Sequence, residues 1–210
     1  MPKGLGRSSG CGRARAIRAE RSPDFVEITE EGHLMTTPEL PTTRRLRVLF
    51  LCTGNSARSQ MAETILRRVG RGRFAPESAG AQPAERVNPF AIEALERYGY
   101  FWTGHQPRGL AGLEQQDWDF VITVCDRAKE TCPVFPGQPV VAHWGMPDPA
   151  AVEGTDQEKR RAFDEALLMI RCRLDLFVSL PIEKLTRLAL EKRVRAIGEA
   201  GAPEPAGPAS

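Results

Sequence analysis

The sequence predicts one layered α/β domain built on a parallel sheet, and three observations carry that expectation. Short apolar runs of strand length alternate with longer segments whose apolar residues recur at helical spacing. Strands separated by such helices imply right-handed crossovers and a parallel sheet covered on both faces. Cys52, Cys125 and His143 each follow a predicted strand, which gathers them at the carboxyl edge of the sheet, where sites in such folds lie.

The elements follow in chain order. Leu46-Arg47-Val48-Leu49-Phe50-Leu51 has the short apolar run of a buried parallel strand. A small-residue loop from Cys52 to Arg58 leads into a helix carrying Met61, Ala62, Ile65, Leu66 and Val69, stopped by Gly70. Phe74 to Ala79 reads as a weaker second strand ending at Gly80. Asn88-Pro89 pairs an N-cap residue with a first-turn proline, opening a helix with Ala91, Ile92, Leu95 and Tyr98 that stops at Gly99. Phe120 to Val124 is the clearest later strand, and Val140 to Ala142 a shorter one. Phe163, Leu167, Ile170, Leu174 and Phe177 share one face of a long helix. Pro181 opens a last helix ending near Ile197.

The folded domain is therefore expected over 45–198. Residues 1–44 are rich in Gly, Ser, Arg and Pro without periodicity and read as a disordered extension, with Met35 an alternative start. Their Arg-rich beginning also suits a transit peptide or a nucleic-acid arm, but the bias fades into Asp24, Glu27, Glu30 and Glu31. The Pro/Gly/Ala tail over 199–210 reads as disordered too.

Composition narrows the function class. Of 210 residues, 41% are hydrophobic and 27% charged, enough for one ordinary domain with a sizeable core. A net charge of +2 gives no reason to expect nucleic-acid or membrane-surface binding. The sequence holds neither a bilayer-length apolar run nor the apolar stretch of a secretory signal, so a cytoplasmic location is expected. The 5 cysteines, Cys11, Cys52, Cys125, Cys132 and Cys172, are an odd count in a chain that needs no disulfide staples. Reactive thiols are the better reading.

The loop from Cys52 is the most specific feature. A Cys, five residues, then Arg58 and Ser59, between a strand and a helix, suits oxyanion chemistry. Successive backbone N–H groups form an anion nest, and the helix N-terminus adds its positive end. Thr53, Gly54, Asn55, Ser56 and Ala57 supply that backbone, with Gly54 permitting close approach and Asn55 tolerating left-handed dihedrals. Arg58 grips a tetrahedral oxyanion with its planar fork. The same field should favour the Cys52 thiolate, and Ser59 is placed to hydrogen-bond the sulfur. Met146-Pro-Asp-Pro149 alone reads as a turn, although a carboxyl near the loop would help an oxygen depart.

The string Val48 to Glu63 resembles the low-molecular-weight protein tyrosine phosphatase superfamily, and most closely its arsenate reductase branch. The resemblance runs from about Arg47 to about Leu180 and includes Ser78-Ala-Gly80, Asn88-Pro89, Val124-Cys125 and the stretch from His143 to Pro149. It implies a three-layer α/β/α fold with a four-stranded parallel sheet. It also implies Cys52 as nucleophile, Arg58 as oxyanion clamp and Asp148 as general acid. Ala150 and Ala151 stand where the phosphatases usually place a tyrosine. They also usually carry a second cysteine where Ala57 stands, although some reductases share it.

Cys125-Asp-Arg-Ala-Lys-Glu-Thr-Cys132 matches the redox pair of thioredoxin-coupled reductases. The bland alternative is a strand-end core cysteine and a loop cysteine. By the resemblance, Cys52 attacks arsenate, Cys125 attacks Cys52 with release of arsenite, and Cys132 attacks Cys125. An external thiol reductant, thioredoxin or else glutaredoxin with glutathione, then resets the enzyme. No bound cofactor or metal is expected. Seven helical steps would part the two Cα atoms by ~10 Å, beyond the ~7 Å a disulfide tolerates. The segment is therefore expected to be a loop, or a helix that unwinds.

Some reductases of this branch bind a cation near the loop, but His105-Gln-Pro-Arg108 carries positive charge here, so no such site is carried over. His143 is expected to be a satisfied strand-end histidine, Glu63 a solvated or capping residue, and Cys11 and Cys172 bystanders. Two other readings stay open. One is a phosphatase acting on phosphotyrosine or small phosphate esters. The other is a non-catalytic oxyanion-binding sensor.

Overall fold

A computed structural model describes residues 44–199. The extension expected over 1–44 and the tail over 199–210 thus lie outside the described residues, save Arg44 and Glu199 at their edges. So do Met35 and Cys11.

Strand β1 (Leu46–Cys52) leads into helix α1 (Arg58–Val69), and β2 (Phe74–Gly80) into α2 (Pro89–Arg97). Then come β3 (Phe120–Thr123), the short α3 (Asp126–Glu130), β4 (Val140–His143), α4 (Asp156–Val178) and α5 (Arg187–Glu199). The strands form one four-stranded sheet in the order β2-β1-β3-β4, with every pairing parallel. Val48–Cys52 and Phe120–Thr123 are buried throughout. Central strands of this kind need cover on both faces, which is why their sequences run apolar without alternation. Edge strand β4 instead alternates, with Val141 turned outward. Helix α4 packs against α1 and α2, and α5 lies along β4.

Local chemistry sets the helix starts. The Asn88 side chain accepts from Phe90 N, with Pro89 in the first turn of α2. Helix α4 begins earlier than its apolar face suggests, because Thr155 and Glu158 form a capping box. All five residues expected on the inner face of α4 are buried, and Phe177 meets Phe74, Phe120 and Trp144. Pro181 departs from expectation. It caps only a single 3-10 turn, Ile182–Lys184, and α5 starts separately at Arg187.

The topology fixes where a site can form. From β1 the chain crosses to β2 on one side, then returns to β3 on the other, so the segments after β1 and β3 diverge and leave a crevice. In register, Cys52 lies beside Gly80, and Leu51, Thr123 and His143 share one row. Cys52, Cys125 and His143 thus emerge at one edge.

Candidate active site

The loop after β1 owes its shape to hydrogen bonds made on its outer side. The carbonyls of Cys52, Thr53, Gly54 and Ser56 accept from the N–H groups of Ala81, Gln82, Ala84 and Asn88 at 2.8–3.1 Å. Binding the carbonyls outward leaves the N–H groups to face inward, which is how a nest is made. Asn55 has φ of 48°, the left-handed conformation its type tolerates. At Gly80 a Cβ would fall 2.6 Å from Thr53 O and 2.8 Å from Asn55 N. Close approach is therefore a requirement of Gly80 more than of Gly54, whose Cβ would meet nothing nearer than 3.3 Å. Ala57, the N-cap of α1, offers no side-chain acceptor.

Cys52 Sγ receives Asn55 N–H at 3.0 Å and lies 3.0 Å from Ser59 Oγ. Those contacts match the sequence reading, but the thiol's ionisation does not. Burial pushes the Cys52 thiol up, against the Ser59 hydroxyl, the N–H groups of Asn55 and Ser59, and Arg58. The physical reason is desolvation. The sulfur is almost wholly removed from water. Arg58, which pulls the other way, donates Nη2 to Asp148 Oδ2 at 2.7 Å and Nη1 to Met146 O at 3.0 Å.

A buried polar chain supports the loop from within. Asn55 Nδ2 donates to Ser59 Oγ and to Ser78 Oγ, each at 2.9 Å, and Ser78 donates to Glu63 at 2.6 Å. Asn55 Oδ1 accepts from Arg108 N at 3.0 Å, and Gln60 Nε2 donates to His105 O at 2.8 Å. Glu63 is neither solvated nor a cap. It is 1% exposed and bound by Ser78, Arg67 and His105. A full set of donors makes that burial tolerable. Neither Gln60 nor the strap over 81–88 carries a local signal of this role. Ser78 was signalled only through the family string.

Asp148 does reach the loop, through Arg58, while its Oδ1 caps Ala150 N. The buried Arg173 of α4 donates to Trp144 O, Gly145 O and Gly198 O at 2.9–3.1 Å, fixing the start of the segment that carries Asp148. Cys125 Sγ lies 3.3 Å from Thr53 Oγ1, against the loop itself. Cys132 is half-buried beyond α3, and burial pushes its thiol up. The segment between them is a short helix, so joining the pair requires unwinding. Cys52, Cys125, Cys132 and Cys172 are free thiols, with Cys172 exposed on α4. Among the described residues no cluster of three or more His, Cys, Asp or Glu could hold a metal ion, and no helix is long and apolar enough to cross a membrane.

The family description "Low molecular weight phosphotyrosine protein phosphatase" matches residues 47–188. The chain belongs to that family. Within the family's wider circle, an arsenate reductase from Halalkalibacterium halodurans is 39% identical over 122 residues, covering 56% of this chain and 87% of that protein. A solved arsenate reductase in its oxidized state superposes with a TM-score of 0.54 at 26% identity, covering 63% of this chain and 96% of that one. A solved low molecular weight phosphotyrosine phosphatase from Vibrio cholerae gives 0.51 at 25% identity, with 60% and 90% covered. The family's fold is thus that of this chain.

Proposed function

We propose that the chain reduces arsenate to arsenite. The observation that carries this over phosphate-ester hydrolysis is the position of Cys125, whose sulfur touches Thr53 inside the oxyanion loop. A phosphatase needs no second thiol there. A reductase needs one within reach of the first. The arsenate reductase relative at 39% identity supports the same choice.

Arsenate docks on the inward N–H groups, and Arg58 turns its fork from Asp148 onto the anion. As Arg58 leaves it, the Asp148 carboxylate takes the proton of the Cys52 thiol. The Cys52 thiolate attacks arsenic, and Asp148 passes that proton to the oxygen that leaves as water. Cys125 then attacks Cys52 Sγ, its thiol proton passing to an oxygen of the departing arsenic group. The new S–S bond forms as the S–As bond breaks, and its electron pair stays on arsenic, which departs as arsenite. Cys132 attacks Cys125 once α3 unwinds, releasing Cys52 and carrying the disulfide outward. An external dithiol, thioredoxin or else glutaredoxin with glutathione, reduces that disulfide. A reducing cytoplasm is the setting in which such thiols stay free between turnovers.

NADPH consumption with thioredoxin, thioredoxin reductase and arsenate tests the reading. Turnover should vanish in Cys52→Ser, Cys125→Ser and Cys132→Ser. Vigorous p-nitrophenyl phosphate hydrolysis indifferent to Cys125 and Cys132, with no arsenate turnover, would make the chain a phosphatase.

A further inference from the structure

His143 closes β4 with both ring nitrogens engaged. Nδ1 lies 2.9 Å from Thr123 Oγ1, and Nε2 lies 2.9 Å from Asp126 Oδ1. A carboxylate only accepts, so Nε2 carries the ring proton and Nδ1 of the neutral imidazole accepts from the Thr123 hydroxyl. An aspartate set this way fixes the tautomer and stabilises the imidazolium that forms when Nδ1 takes a proton. The pair also has a dedicated space. At Gly145 a Cβ would fall 2.5 Å from His143 Nε2 and 3.3 Å from Asp126 Oδ1, so a larger residue would push them apart.

The pair opens on a cavity of about 730 Å³ that Cys132 also lines. Its other charged groups are Lys129 of α3 and Arg195 and Glu199 of α5, and Arg195 is engaged by Glu191. Burial pushes the Cys132 thiol up, and a thiol becomes a nucleophile by giving its proton away. Among the groups around the cavity, the imidazole is the acceptor, because its Nδ1 carries a lone pair, Asp126 is engaged in holding it, and Lys129 and Arg195 have no lone pair to offer.

We propose that His143, held by Asp126, takes the proton of Cys132 and so makes Cys132 the nucleophile of the second thiol exchange. The exchange itself rests on the arsenate reductase reading. In it the Cys132 S–H bond breaks, the proton passes to Nδ1 of His143, and the Thr123 hydroxyl turns to accept from it. The Cys132 sulfur attacks Cys125 of the Cys52–Cys125 disulfide. The Cys125–Cys132 bond forms, the Cys52–Cys125 bond breaks, and Cys52 leaves as a thiolate received by Asn55 N–H and Ser59. No electrons enter or leave the protein. Asp126 adjoins Cys125 in the first turn of α3, so the base stays at the fixed end while the Cys132 end moves in.

The test is iodoacetamide alkylation of Cys132, followed by peptide mass spectrometry on the full reduced chain at a series of pH values. Wild type, His143→Gln and Asp126→Asn are compared. Glutamine can keep both hydrogen bonds without being a base. Wild-type alkylation at Cys132 should rise at lower pH than in His143→Gln, which is about tenfold slower near pH 7. Unchanged melting temperature and Cys52 alkylation in the variant separate this from unfolding. Superimposable Cys132 profiles for wild type and His143→Gln overturn the proposal. In single turnover with arsenate, His143→Gln should accumulate the Cys52–Cys125 disulfide that wild type passes on. If arsenate yields no disulfide even in wild type, the reductase reading falls, while the alkylation profile still decides the proton transfer.

Discussion

Ser59→Ala deletes one hydrogen bond to the Cys52 sulfur and little else. Ser59 Oγ lies 3.0 Å from Sγ, and its other partner, Asn55 Nδ2, keeps Ser78 Oγ at 2.9 Å. A hydrogen bond to a charged group contributes about 1.5–3 kcal/mol, a factor of roughly ten to one hundred in an equilibrium. The hydroxyl donates to the thiolate, so it favours ionisation and its loss must raise the thiol further. The rate of Cys52 alkylation by iodoacetamide reads the thiolate population directly. Near neutral pH the variant should react about ten to one hundred times more slowly than wild type. The two rates should converge at a pH that ionises both, which shows equal access to the sulfur. A variant within about twofold of wild type at every pH would refute the reasoning, and the sulfur would then draw its stabilisation from backbone N–H groups alone.

Three other outcomes follow from the same geometry. Asp148→Asn removes the carboxylate that shares the Arg58 charge, so Cys52 alkylation should speed up while arsenate turnover falls about 10²–10⁴-fold for want of an acid. Its stability should change by less than about 1 kcal/mol, because the carboxylate is 44% exposed, and urea unfolding checks this. Gly80→Ala drives a methyl into Thr53 O and Asn55 N, so calorimetric binding of phosphate should be lost while far-UV circular dichroism stays native. Arg173→Met strands three carbonyls that the guanidinium now satisfies. Its urea midpoint should fall, with each unsatisfied buried acceptor costing about 1–3 kcal/mol.

How far the fold and site could be read from the sequence depended on the kind of signal. The strands at Leu46 and Phe120 are buried on both faces, so their continuous apolar runs identify them unaided. Asn88-Pro89 and the apolar stripe of α4 are equally local statements. Cys52, Arg58 and Ser59 sit seven residues apart or fewer, and their joint use is visible in one loop. What stayed hidden depends on residues distant in sequence. Nothing local says that Glu63 will be closed in by Ser78 and His105, or that Gly80 must be small for the sake of Thr53. The loop's field does favour the Cys52 thiolate, as its sequence implies, but the burial that pushes the thiol up is a tertiary fact.

The strap over 81–88 has a consequence for selectivity between elements. Because Ala81, Gln82, Ala84 and Asn88 hold the loop's carbonyls from outside, the cradle is rigid before any anion arrives. A rigid ring of amide protons senses shape and charge, and two tetrahedral oxyanions of nearly equal size present both alike. Phosphate should therefore occupy the loop as a competitor, and docking alone gives arsenic little preference. Discrimination would fall to the step after docking. Arsenic accepts an electron pair when its bond to sulfur breaks and leaves in a lower oxidation state, whereas phosphorus holds its valence and can only be returned. On this account the protein recognises its substrate by what that substrate is able to become.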